Sequence, residues 1–349
     1  MNKLFFGLLA FIPVTVIVHY MRVAPVLEFI LAALAIIPLA KYIGEATEQL
    51  STHTGPAAGG LLNATFGNAT ELLISIFAIR AGLFEVVKAS LTGSIIGNLL
   101  LVLGAAMFAG GLKYKKQTFN QTAVLASASA MLLAVIALIM PAIFIQTAPQ
   151  ADGNIVERLS LLVSGLLIAV YFAQLAFALR THKHLYIEEV GKYEEAKWGV
   201  AKSVVVLLLT TAIVAWMSEL LVGSIEPVVA SLGWTELFIG VIFVAIIGNA
   251  AEHTSAITMA MKNRMDLSLQ ISIGSATQIA MFVAPVLVFV SLAFGRPMSF
   301  VFNMFEVVSI VLSVFIVNLV VQDGESNWLE GMQLMVAYAI IAVAFFFHP

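Results

Sequence analysis

Two short motifs carry the chemistry this chain can do: Gly-Asn-Ala-Thr-Glu at 67–71 and Gly-Asn-Ala-Ala-Glu at 248–252. In each, an amide precedes a carboxylate by three positions. Residues three apart share a helix face, so Asn68 with Glu71, and Asn249 with Glu252, can aim oxygen atoms at one point. Gly67 and Gly248 open the motifs, where a missing side chain permits a bend or the close approach of another backbone. A bend there would free backbone carbonyls to join the amide and the carboxylate. An all-oxygen cage suits a hard cation such as Ca²⁺, whereas a soft metal would want thiolates, and this chain has no cysteine. The metal-ligand set expected from this pattern is Glu71, Glu252, Asn68 and Asn249.

His253 follows Glu252 directly. Adjacent residues diverge by about 100° on a helix, so three readings of His253 stay open. It is a ligand, which would favour a transition metal, or a hydrogen-bonding and proton-relay group, or a plain polar contact between helices.

The motifs belong to a longer duplication. At the same offset of 181 residues, Gly93-Ser94 falls on Gly274-Ser275, and 67–104 matches 248–285 at eight of 38 positions. Five of the eight are Gly, Asn, Glu, Gly and Ser, not the aliphatic residues that membrane composition matches by accident. Ser94 and Asn98 lie four apart; Ser275 and Gln278 lie three apart, with Thr277 beside them. Such residues serve either helix packing or the cation path, and both readings stand. Gly93, Gly97, Gly104 and Gly274 read as packing positions.

The surrounding composition asks for lipid. Of 349 residues, 61% are hydrophobic and 11% charged, against about 25% charged in a soluble domain, and the mean hydropathy is +1.03. Such a chain cannot cover itself with polar surface. No basic patch suggests nucleic acid, and nothing calls for a cofactor. Apolar runs of spanning length fall at 4–20, 24–48, 59–82, 88–112, 118–140, 157–180, 202–222, 235–261, 268–292, 300–320 and 328–347. The expected fold is an all-α polytopic membrane protein of eleven transmembrane helices. Continuous apolar runs, not alternation, exclude a β-barrel. Residues 1–20 look somewhat like a signal peptide but lack a small-x-small cleavage site, so they read as a retained first helix. Breaks are expected at 54–60, 147–154 and 322–327.

The first motif lies in the third helix and the second in the eighth. Five helices separate them, an odd number, so the halves cross the membrane in opposite senses. That is the inverted repeat of secondary transporters, whose substrate binds near the midplane. The expected parts are an N-terminal helix at 1–23, a first five-helix repeat at 24–180, a cytoplasmic linker at 181–201 and a second repeat at 202–349. Glu71 falls at the middle of its helix, and Glu252 about 6 Å from the middle of its own. An ionised carboxylate there costs at least about 2.5–3.5 kcal/mol. Two such costs at repeat-related places are hard to explain as packing.

Basic residues set the orientation. With the N-terminus in the cytoplasm and the C-terminus outside, eleven Lys and Arg fall inside and five outside, and Lys41 sits within a helix. Glu45 and Glu48, and Glu219 and Glu226, sit near opposite mouths, where acids would concentrate cations; solvated helix ends explain them equally. The linker carries Glu188, Glu189, Glu194 and Glu195 and reads as a solvated helix or a regulatory cation site. Glu306, inside the tenth helix, has no assigned role.

GNATELLISIFAI at 67–79 and GNAAEHTSAITMAMKNRMDLSLQISIGSATQIAMFVAP at 248–285 resemble the two repeats of the Ca²⁺/H⁺ antiporters, or cation/proton exchangers, of the Ca²⁺/cation antiporter superfamily. The likeness spans about 24 to 347. It implies eleven helices, Ca²⁺ held as transported substrate between the third and eighth, and Glu71 and Glu252 shared by Ca²⁺ and H⁺. Asn68 and Asn249 are the implied companions, and Gln278 lines the path. Gly97 aligns with Gln278, so the two gates are not chemically equivalent. The Ser/Pro-rich signature and the extra acids of Na⁺/Ca²⁺ exchangers are missing, which favours protons, and the likeness implies a prokaryotic plasma-membrane form. An Na⁺/Ca²⁺ or Mn²⁺ antiporter is the alternative, and a cation channel a more distant one. An intramembrane metalloprotease would need HExxH, which does not occur. A homo-oligomer is left open.

Overall fold

The computed structural model describes residues 3–182 and 197–348. Among these, nine helices are long and apolar enough to cross a membrane, preceded by the shorter apolar helix Phe5–Met21, labelled α1. The nine are α2 Pro25–Thr54, α4 Phe84–Lys113, α5 Gln121–Thr147, α6 Gly153–Thr181, α7 Val200–Leu232, α8 Glu236–Met261, α9 Met265–Ala293, α10 Met304–Asp323 and α11 Trp328–Phe347. Residues 59–81 form α3.

α3 departs from a simple span. Helical geometry continues through Pro25–Phe66 and resumes over Ala69–Ala81. Yet Ser51 Oγ donates to the Gly59 carbonyl at 3.2 Å, although eight residues of straight helix cover about 12 Å. The chain therefore folds back between 51 and 59. The break expected at 54–60 is a reversal made with helical turns, not an extended loop. With it, the described residues form eleven helical segments, α1 to α11, nine of them long and apolar enough to span a membrane.

Local chemistry sets the helix ends. Side chains of Asn120, Asp152, Thr235, Asn303 and Asn327 accept from backbone N–H groups at the starts of α5, α6, α8, α10 and α11, satisfying donors that lack intrahelical partners. α3 and α8 are each followed by a left-handed residue, Gly82 at φ 89° and Asn263 at φ 60°. The 181-residue offset superposes these two positions, and Gly and Asn are the residues that adopt this conformation most readily.

The connections sort onto two faces. Gln49 Oε1 accepts from the backbone N–H groups of Lys197 and Trp198 at 2.7 and 3.1 Å, joining the α2–α3 reversal to the start of α7. Gln117 Nε2 donates to the Ala260 carbonyl and to Asn263 Oδ1, joining the α4–α5 turn to the α8–α9 turn. Gln117 and Thr118 also pair antiparallel with Ser326 and Glu325 in the α10–α11 turn. On the other face, Arg296 reaches the Arg80 carbonyl and joins the α9–α10 turn to the α3–α4 turn. Each contact lies on the side that eleven crossings require, so α2–α6 and α7–α11 are inverted relative to one another. The expected linker at 181–201, with its four glutamates, lies mostly outside the described residues.

α4 and α9 form the centre. They are 72% and 61% buried over their apolar windows, against 17% for α6 and α11. Both contain a π-helical turn at matching repeat positions, Gly97–Val102 and Ile279–Val283. Such turns concentrate at functional sites.

Candidate functional site

The motif helices α3 and α8 meet α4 and α9 at this centre, but the two motifs differ locally. α3 is interrupted at Gly67-Asn68, whereas α8 stays helical through its motif. Gly248 therefore makes room instead of a bend. A Cβ there would stand 2.9 Å from Glu71 Cγ and 3.1 Å from its Oε1, so the Glu71 carboxylate packs on the backbone of α8 one turn before Glu252. Gly67 faces the Asn63 carbonyl of its own helix.

One network ties the halves together. Asn68 Nδ2 donates to Gln278 Oε1 at 2.7 Å, and Asn249 Nδ2 donates to Ser94 Oγ at 2.8 Å. Asn98 Nδ2 lies 3.1 Å from Asn249 Oδ1 and 3.0 Å from Ser275 Oγ. Ser275 Oγ is 2.5 Å from Glu252 Oε2 and 3.4 Å from Asn68 Oδ1. Its single proton goes to the nearer acceptor, the carboxylate. Asn68, Asn98 and Asn249 are each 1% exposed.

Asn98, one position beyond the aligned Gly97, pairs with Asn249 as Gln278 pairs with Asn68, but in the opposite sense: Gln278 accepts from Asn68, whereas Asn98 donates to Asn249. The two glutamates are not equivalent. Glu252 accepts from Ser275, while both Glu71 oxygens are buried without a hydrogen-bond partner, as is Asn98 Oδ1. Buried polar atoms are nearly always paired. Unpartnered oxygens at the centre of an oxygen-rich cluster are acceptors suited to a cation or a proton. Among the described residues, no group of three or more His, Cys, Asp or Glu forms a metal cluster, so any cation here would draw on amide and hydroxyl oxygens too.

Other expected residues lie apart. His253 is half-buried and has no hydrogen bond to this network. Thr277 Oγ1 donates to the Ile273 carbonyl of its own helix. Glu306, left unassigned above, caps α10: it exchanges hydrogen bonds with Asn303 at 2.8 and 3.0 Å and accepts from Thr92 Oγ1 at 3.1 Å. The Asn303-x-x-Glu306 spacing was the sequence signal for that cap.

The helix crossings on the two sides of the cluster are packed differently. On the face where α8 begins, a Cβ at Gly93 would fall inside the Val241 backbone, and one at Gly240 would lie 2.9 Å from the Val86 carbonyl. The repeat mates behave oppositely. Gly274 has nothing within 4 Å, and Gly59 meets only Ser51 of its own reversal. Asn63 and Thr65 on α3, Thr254, Ser255 and Thr258 on α8, and Gln270 on α9 are exposed on that side.

The comparisons agree with this architecture. The family model for the sodium/calcium exchanger protein matches residues 24–180 and 202–347. A Ca²⁺/H⁺ antiporter of Synechocystis sp. is 49% identical over 365 residues, covering 100% of this chain and 98% of the relative. The Ca²⁺/H⁺ antiporter ChaA of Bacillus subtilis is 46% identical over 353 residues, covering 99% of both. The solved structure of native YfkE superposes with a TM-score of 0.87 at 43% identity, covering 99% of this chain and 100% of that one. With two inverted halves, a glutamate in each and matches along its whole length, this chain belongs to the sodium/calcium exchanger protein family.

Proposed function

We propose that this chain exchanges Ca²⁺ for H⁺ across a membrane by alternating access, with Glu71 and Glu252 shared by the two substrates. The observation that carries the reading is the buried Glu71 carboxylate, both oxygens unpartnered, packed on α8 one turn from Glu252. With both carboxylates ionised the pair carries two negative charges, which one divalent cation neutralises. With both protonated it is neutral without metal. Asn68, Asn249, Asn98 and Ser275 supply the neutral oxygens that a hard cation adds to its carboxylates, and Gln278 orients Asn68. Ser94 holds Asn249.

The polar approach past Thr254, Thr258 and Gln270 faces the cytoplasm in the orientation that the basic residues favour. For the site to face the other way, the crossing of α8 on α4 at Gly240 and Gly93 must open. The matching crossing of α3 on α9 at Gly59 and Gly274 must then close. Inverted halves exchanging conformations in this way is how repeat transporters reorient a fixed site.

The test is uptake of radiolabelled Ca²⁺ into proteoliposomes under an imposed pH gradient, with Na⁺ or choline as the background cation. A pH gradient alone should drive accumulation, and replacing Na⁺ should change nothing. A requirement for Na⁺ would assign the chain to Na⁺/Ca²⁺ exchange instead.

A further inference from the structure

The two motif helices end alike, on opposite faces. The carbonyl of Met261, the last residue of α8, accepts from Lys113 Nζ at 2.9 Å. The carbonyl of Arg80, in the last turn of α3, accepts from Arg296 Nη1 at 3.1 Å. Positions 80 and 261 are repeat mates at the 181-residue offset. The donors correspond as well: Lys113 ends α4, and Arg296 follows α9. Each cation therefore reaches from one half's serine-bearing helix to the last turn of the other half's glutamate helix. Carbonyls there lack intrahelical partners, and the helix dipole places its negative end there.

The same helix pairs are already tied at the midplane. Asn68–Gln278 joins α3 to α9, and Asn249–Ser94 joins α8 to α4. Glu71 and Arg80 are nine residues apart, as are Glu252 and Met261, which is about 13–14 Å of helix. One tie leaves a hinge. Two ties at that separation fix both the slide and the rotation of one helix on the other.

We infer that Lys113 and Arg296 are positioning residues of the cation site. Each holds the glutamate-bearing half of one motif helix in register with the serine-bearing helix of the other repeat. The N-terminal halves of α3 and α8, which carry Gly59 and Gly240, are left free to open and close. This rests on the exchange reading above.

Both cations are exposed, so the helix-end bond must be separated from general surface charge. The test compares wild type with Lys113→Met, Arg296→Met, the conservative Lys113→Arg and Arg296→Lys, and Lys115→Met, which removes a like charge from the same loop. Two readouts are taken on the full chain: the Ca²⁺ dependence of pH-driven uptake, and equilibrium Ca²⁺ binding in detergent. Each Met variant at 113 and 296 should raise half-saturating Ca²⁺ about two- to fivefold in both readouts, with a smaller effect on maximal rate. The conservative variants and Lys115→Met should match wild type. Unchanged half-saturation in both Met variants, whatever their melting temperatures do, overturns the inference. So does an equal shift in Lys115→Met. Failure of wild type to exchange counts against the function instead, while the binding readout still decides the positioning role.

Discussion

The carboxylate of Glu71 in the first repeat packs on the Cα of Gly248 in the second, closely enough that a methyl group at 248 would lie 2.9 Å from Glu71 Cγ. Gly248→Ala should therefore push Glu71 away from Glu252. Overpacking a tight site costs about 1–3 kcal/mol, so Ca²⁺ affinity should fall about five- to 150-fold while the protein still folds. Shortening the acid in the double variant Gly248→Ala/Glu71→Asp should recover part of the loss. Calorimetric Ca²⁺ titration of both variants reads this, and a Gly248→Ala protein that binds like wild type would refute the packing argument.

The two glutamates should behave as one unit. Glu71→Gln and Glu252→Gln each keep the side-chain shape but leave one negative charge for a divalent cation. Each should abolish exchange, and the double variant should be no worse than either, because groups acting together are non-additive. Substantial Ca²⁺ flux in a single variant would remove that glutamate from the site.

Protons should compete with Ca²⁺ for this pair. Apparent Ca²⁺ affinity should weaken as pH falls from about 8 to about 6, by at least about tenfold if the pair titrates as a unit. The direction follows from charge alone, since protonation removes the negative charges that hold the cation. Equilibrium binding across that range checks it; a flat profile would separate the carboxylates from proton transport.

Gly274 offers a test of motion that spares the resting fold. Nothing stands within 4 Å of a Cβ at 274, whereas one at its mate Gly93 would collide with Val241. Gly274→Leu should therefore melt like wild type and still bind Ca²⁺, yet lose at least about tenfold in exchange rate because α3 can no longer close on α9. Gly93→Leu should fail to fold. Normal exchange by Gly274→Leu would mean that this crossing never closes.

Much of this arrangement was legible before any coordinates. The 181-residue offset singled out both glutamates, both asparagines and both serines, because polar residues inside apolar runs are costly, and the structure brings these side chains together. Spacing could say that Asn68 and Glu71 share a face, but not that Asn249 would bond Ser94 and leave Asn68 to Gln278. Those partners are 155 and 210 residues apart, and periodicity carries no information across such distances. The same limit hid the Glu71–Gly248 packing. Alignment alone left Gln278 matched with Gly97, which has no side chain to offer; in the structure the next residue, Asn98, bonds Asn249.

The one-sided approach also has an electrical consequence. The polar access proposed above would bring the carboxylate pair to the potential of one face. The membrane voltage then falls across the seal where Gly93 and Gly240 pack against the neighbouring backbones. Moving a unit charge through that voltage changes its energy by about 2.3 kcal/mol per 100 mV. In the proposed exchange, a pair holding one Ca²⁺ and a pair holding two protons are both neutral, so reorientation in either loaded form would do no work against the field. The empty pair carries two negative charges and would have to cross a dry seal bare. On the proposed reading, electrostatics would suppress leak without exchange, and the coupling of the two ions would need no separate latch.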